Sequence, residues 1–223
     1  MNSLVSWGCK IFLAPLVRLL LIKEVRGQEN IPDSNFILAT NHQSHLDEIA
    51  NGYVCVPRKF RFIGQTDNYG GLTKLLLYIV YFLAGVIHLN REEESSKKRA
   101  LQEAVESLKN GNIVVIYPEG TRTRTGKLGK GKWGVAKMFL KTGVPVLPAA
   151  ITGTFKLLPP GGDLQIRRII RINIGKPLAF KEEFEKAKRK DLNKEEKEQL
   201  LVDITERVMK EIAILKKDLK KEQ

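Results

Sequence analysis

The chain has 223 residues, 43% of them hydrophobic and 28% charged, and 38 Lys and Arg against 25 Asp and Glu leave a formal net charge of +13. That composition excludes a disordered or fibrous chain and is enough for one substantial core. Its two cysteines, Cys9 and Cys55, define no disulfide framework, and the basic excess favours anionic partners: lipid headgroups, phosphorylated substrates, acidic proteins or nucleic acid.

Residues 1–22 are apolar but interrupted by Pro15 and Arg18. The stretch is too short and broken to predict a spanning helix, and it has no small-residue cleavage site of a signal peptide. Trp7, Lys10 and Arg18 beside leucines predict a short helix lying in the membrane interface; the competing reading packs it on the domain's own core. Phe36, Ile37, Leu38 and Ala39 then read as a buried strand.

That strand runs abruptly into Asn41-His42-Gln43-Ser44-His45-Leu46-Asp47, which holds two of the chain's three histidines. Open α/β sheets place their chemistry at such strand ends. An imidazole takes a proton from a hydroxyl at neutral pH, best when a carboxylate orients it. The offset from His42 to Asp47 suits a histidine in the loop and an acid in the first turn of the next helix. Plainer roles stay open here: Asn41 as a helix cap, Asp47 and Glu48 as first-turn acids. A metal site lacks its further ligands, and Ser44 lacks the Gly-x-Ser-x-Gly elbow of a serine hydrolase.

Residues 48–56 predict a helix stopped by Pro57, and 58–64 a strand with cations on one face. Residues 72–84 predict a buried or membrane-contacting helix, and 85–91 a strand ending at Arg91. Residues 92–109 form an amphipathic pattern with Ala100, Leu101, Ala104, Val105 and Leu108 on one face. Ile113, Val114, Val115 and Ile116 make a second apolar strand, followed by a second polar cluster from Tyr117 to Arg124. In a parallel sheet both clusters share one edge. An arginine there suits a phosphate, whose oxygens match the guanidinium fork, and Glu119 suits holding such an arginine or bonding a substrate hydroxyl.

The glycines and lysines of 126–132 nearly spell a nucleotide-binding P-loop, but Trp133 stands where Ser or Thr is needed and no strand precedes them. Residues 133–141 predict a helix. The proline-bearing run 144–151 predicts an irregular or edge strand. A turn at Gly161-Gly162 precedes a strand over 166–174. Leu201, Ile204, Val208, Ile212, Leu215 and Leu219 recur at helical spacing in a charged terminal helix. The predicted architecture is a single α/β domain with a central mixed β-sheet flanked by helices: an interfacial segment at 1–24, the main domain at 25–180, and a helical region at 181–223 on or beside it. The lysines are spread over helices and loops with few aromatics among them, so no nucleic-acid partner is expected.

Taken together, the two clusters resemble the glycerolipid acyltransferases. Asn41-His42 through Asp47 is similar to their His-x4-Asp motif, and Glu119-Gly120-Thr121-Arg122 to their phosphate-binding motif. The segment from Gly85 to Arg91 resembles a motif between them that ends in arginine, and Val144-Pro145-Val146-Leu147-Pro148 a fourth with prolines. The four stand in the family's order over residues 25–178. Ile87-His88-Leu89-Asn90-Arg91 departs from the apolar and acidic pattern more usual there.

The resemblance implies transfer of a fatty acyl group from a thioester, acyl-CoA or acyl carrier protein, to lysophosphatidate (1-acyl-glycerol-3-phosphate). His42 would be the base and Asp47 its orienting partner. Glu119, Gly120, Thr121, Arg122 and Arg91 would hold the phosphate and glycerol end. No metal and no cofactor are implied. The enzyme would sit on the cytoplasmic face of the cell membrane, peripheral or monotopic, against anionic lipid.

Overall fold

An apolar run without polar alternation must be covered on both faces, and the two strongest runs of this chain are. In the computed structural model, residues 3–64, 85–159 and 162–221 are described. Ile37–Thr40 (β2) and Ile113–Ile116 (β5) are buried at every position. They pair in parallel, Ile37 opposite Val114. Around them lie β1 (Ile22–Arg26), β3 (Phe60–Gly64), β4 (Ile87–His88), β6 (Val146–Thr152) and β7 (Ile170–Ile174). Among the described residues these form one sheet in the order β1-β7-β6-β2-β5-β3-β4. Its pairings are parallel except between β6 and β7, so the sheet is mixed.

Helices cover both faces. On one side Phe36 and Leu38 meet Ala14 and Val17 of α2 (Ala14–Leu20), Leu46 and Ala50 of α3 (Leu46–Cys55), and Leu157 of α6 (Thr154–Leu157). On the other, Ile37 and Ala39 meet α4 (Glu94–Lys109), α5 (Gly134–Thr142) and α8 (Lys194–Lys220). The period-two alternation of β2 thus divides the core into two clusters. A short α7 (Lys181–Ala187) leads into α8, which opens with a capping box between Asn193 and Glu196.

The N-terminal stretch is helical, α1 (Ser3–Gly8) and α2 joined by one π-helical segment, Cys9–Leu13. Ala14 and Val17 face the core, while Leu4 and Phe12 are 81% and 78% exposed, and Trp7, Leu16 and Leu19 lie open as well. Among the described residues no helix is long and apolar enough to cross a membrane. The apolar helix expected at 72–84 falls outside the described residues.

Three expectations are corrected. The run 144–151 is an interior strand, not an edge or irregular one: β6 lies between β2 and β7. Pro148 is tolerated there because its backbone faces β7 where β7 ends. Its carbonyl takes the Gly175 N–H, just past the last ladder residue Ile174, and no further N–H is needed. The strand expected at 85–91 is only Ile87–His88, so Arg91 lies in the loop before α4. The strand expected from 166 begins at Ile170, because β1 and β6 give pairing partners only from Ile170 on.

Gly153 ends β6 with φ +95°, and a Cβ there would lie 2.5 Å from the Ile169 carbonyl oxygen. Gly153→Ala therefore meets both dihedral strain and a backbone clash. It is expected to cost about 1–3 kcal/mol and to lower Tm by several degrees in a thermal melt.

Candidate active site

β2 has parallel neighbours on both sides, β5 and β6, so three strands deliver their C-terminal ends to one edge. Loop 41–45 follows β2, the loop from Tyr117 follows β5, and Thr154 follows β6. The Asn41 carboxamide ties the first to the third: its Nδ2 donates to the Ile151 carbonyl at 2.9 Å and its Oδ1 accepts the Ile151 N–H at 2.7 Å. Asn41 is therefore a cross-strand clamp. The cap position of α3 falls to His45.

Asp47 sits in the first turn of α3 and is fully buried. Its Oδ1 accepts the Thr154 hydroxyl at 2.6 Å. Its Oδ2 accepts the backbone N–H of Gln43 and, at 2.8 Å, that of Ser44, and lies 3.0 Å from His42 Nδ1. A carboxylate oxygen ringed by donors calls for hydrogen on Nδ1. Nε2 is then the lone-pair nitrogen, and His42 lines the open cleft. The imidazole is further fixed by Tyr117, whose ring stacks on it with centroids 3.8 Å apart and planes 10° apart. Asn51 Nδ2 donates to the Tyr117 hydroxyl at 3.2 Å and to Thr40 Oγ1 at 3.0 Å, locking that ring to β2. Burial raises the Tyr117 phenol well above its ordinary pKa, and Glu48 and Asp47 add to the effect, so it stays neutral.

Glu119 is buried, and both oxygens accept main-chain N–H groups: Oε1 from His42 at 2.7 Å, Oε2 from Gly129 at 2.6 Å. Where the sequence left an arginine or a substrate hydroxyl as its partner, the structure supplies these two amides. Glu119 ties the β5 loop to the base, and the Thr123 N–H closes the link by donating to the His42 carbonyl at 2.9 Å. The backbone amides of His42, Gln43 and Ser44, at the approach to α3, are thus already taken by carboxylates. They are not free for an oxyanion.

The cleft is about 1140 Å³. Its lining includes apolar Ile63, Leu89, Leu101, Ile116 and Met138, the cations Arg91, Arg122, Arg124 and Lys132, and the acids Glu48 and Glu94. Gly120 and Thr121 line it as well. Burial pushes the Arg91 guanidinium below its ordinary pKa, and Arg122 adds like-charge repulsion. Arg91 Nε is buried without a hydrogen-bond partner, and neither arginine has a carboxylate partner among the described residues.

This arrangement can be set against known proteins. A family model described as Acyltransferase matches residues 23–152, more than half of the chain. The chain belongs to the Acyltransferase family. The crystal structure of the 1-acyl-sn-glycerophosphate (LPA) acyltransferase PlsC from Thermotoga maritima is similar, at 30% identity and a TM-score of 0.62, with 93% of this chain and 80% of that one covered. A chloroplastic 1-acyl-sn-glycerol-3-phosphate acyltransferase of Brassica napus is 32% identical over 158 residues, 70% of this chain and 44% of the relative. One from Borreliella burgdorferi is 34% identical over 131 residues, 58% of this chain and 51% of the relative. The chain spans less than half the length of the plant and algal relatives it matches.

Within this site, sequence reading passes over Asn41 as a clamp, Tyr117 and Thr154. Thr154 had a signal: Thr152-Gly153-Thr154 is a third polar group directly after an apolar strand. Tyr117 had only its place beside Pro118 at the end of β5.

Proposed function

We propose that this acyltransferase moves a fatty acyl group from acyl-CoA or acyl carrier protein to the free hydroxyl of 1-acyl-glycerol-3-phosphate, making phosphatidic acid. One observation carries the reading. A base backed by a carboxylate opens on the same cleft as two arginines that repel each other and lack a counter-ion among the described residues. A phosphate monoester would neutralise them, through the guanidinium groups that line the cleft. Gly120 and Thr121, which line the cleft, directly precede Arg122 in the chain.

In this reading His42 Nε2 takes the proton of the acceptor hydroxyl, and the oxygen bonds to the thioester carbonyl carbon. The tetrahedral intermediate then breaks its C–S bond, and the leaving thiolate recovers the proton from His42. Asp47 orients the ring and stabilises the imidazolium. No acyl-enzyme, metal or cofactor is required. The open apolar side chains of α1 and α2, with the basic excess, support a peripheral or monotopic seat on anionic lipid, at the cytoplasmic face of the cell membrane. Glycerol-3-phosphate or another lysophospholipid is the alternative acceptor.

Thiol release from palmitoyl-CoA tests the proposal. Release that depends on added lysophosphatidate is expected. Release with glycerol-3-phosphate alone would change the acceptor. Silence with every acceptor, and with acyl carrier protein as donor, would leave a lipid-binding protein on the same fold.

A further inference from the structure

The C-terminal helix α8 lies beyond the residues that the family model matches, yet it reaches the site. Its buried stripe runs Leu200, Ile204, Val208, Ile212 and Leu219, and among these apolar residues sits Lys216, only 5% exposed. A lysine so placed loses hydration, and a methionine would fill the same space without that cost. Something must repay the ammonium.

Its partner is Gly126. Lys216 Nζ donates to the Gly126 carbonyl at 2.9 Å, and the same oxygen accepts Gln43 Nε2 at 3.3 Å. Gln43 follows the base and donates its own N–H to Asp47. Burial holds the ammonium below the ordinary lysine pKa; Glu119 opposes this, Lys220 adds repulsion, and Asp47 opposes it again. Lys216 thus feels the charge of both carboxylates of the site without lining the cleft. A second contact from α8 falls at Gly131, where a Cβ would lie 2.6 Å from Met209 Cγ and 2.7 Å from Thr205 Cγ2. Helix and loop touch so closely there that a side chain at 131 would have to displace Met209 and Thr205.

We propose that Lys216 is a positioning residue for acyl transfer: its ammonium pins the Gly126 carbonyl, and so holds the Arg122-bearing loop against Gln43 and His42. The substrate part of this proposal rests on the function proposed above. The lysine acts through the loop, so its removal raises KM for the phosphorylated acceptor more than it lowers kcat.

The test compares Lys216→Met, which keeps the apolar stem, with Lys216→Arg, which keeps charge and donors. Lys216→Met is expected to raise KM for lysophosphatidate about tenfold, the scale of one charge-assisted hydrogen bond, with kcat within about threefold of wild type and Tm unchanged or higher. Lys216→Arg recovers most of that loss. Hydrogen exchange of residues 117–132, read by mass spectrometry, is expected to quicken in Lys216→Met alone. This readout needs no substrate, so it stands even if wild type proves silent with lysophosphatidate and the functional reading fails. Unchanged KM and unchanged exchange would overturn the proposal. A loss of activity that merely follows a lowered Tm, with exchange raised equally through α8 and the sheet, would overturn it as well.

Discussion

His42→Ala is expected to lower kcat for lysophosphatidate-dependent thiol release by about 10²–10⁴-fold, while KM for lysophosphatidate changes little. The split follows from the geometry. In the proposed mechanism His42 meets the reacting proton, whereas Arg91 and Arg122 would meet the phosphate and are untouched by the substitution. Deleting the ring leaves Tyr117 without its stacking partner, but Tyr117 is still held by Asn51, and the clamp from Asn41 to Ile151 is intact. The variant should therefore fold, and circular dichroism with a thermal melt would verify it. Asp47→Asn is expected to lose activity too. With its NH2 toward the Gln43 and Ser44 N–H groups the ring loses its orienting acceptor. With its NH2 toward the Thr154 hydroxyl the acceptor stays, but the charge that stabilises the imidazolium is gone either way. Because base and carboxylate act as a unit, the double variant should be barely slower than His42→Ala alone. Additive losses would mean that Asp47 contributes by some route other than His42, and the mechanism would need revision. Full activity in His42→Ala would keep the acyltransferase and discard the base.

The features legible in the sequence are those that local pattern controls. Ile37–Thr40 and Ile113–Ile116 carry no alternation, which marks strands covered on both faces, and each ends in an abrupt polar run. Parallel pairing of these two strands then brings His42, Asp47 and Arg122 to one edge. What was not legible depends on which strand lies beside which. Nothing near Val146 says that β6 inserts between β2 and β7, so Pro148 was read as an edge signal. Thr154 reaches Asp47 across 107 positions and Asn41 reaches Ile151 across 110. These bonds exist only because β6 borders β2. Glu119 shows the same limit differently. Its motif marked it as a site residue, but a carboxylate beside arginines suggests an ion pair, and only the folded loop shows that two backbone amides claim it.

Arg122→Ala is expected to reduce kcat/KM for lysophosphatidate by about 10–100-fold, with most of the change in KM. Arg91→Ala should act in the same direction. A guanidinium bound to phosphate contributes charge-assisted hydrogen bonds, and removing it leaves the substrate's dianion facing one cation fewer. The two arginines also carry a prediction for the empty enzyme. They repel each other, and Arg91 Nε is buried without a hydrogen-bond partner among the described residues, so the site is held against its own charge. Removing Arg91 relieves that repulsion. The variant should melt no lower than wild type, although it binds substrate less tightly. Inorganic phosphate should raise the Tm of wild type and have a smaller effect on either variant. An acceptor without phosphate separates electrostatics from general damage. With monoacylglycerol, which presents a similar hydroxyl and chain, wild type should be a poor catalyst and Arg122→Ala scarcely worse. The preference for lysophosphatidate over monoacylglycerol should therefore collapse in the variant. If activity toward both acceptors fell by the same factor, Arg122 would be shaping the loop and not reading the phosphate. The anion-binding role would then have to pass to Arg91, Arg124 or Lys132, which line the same cleft.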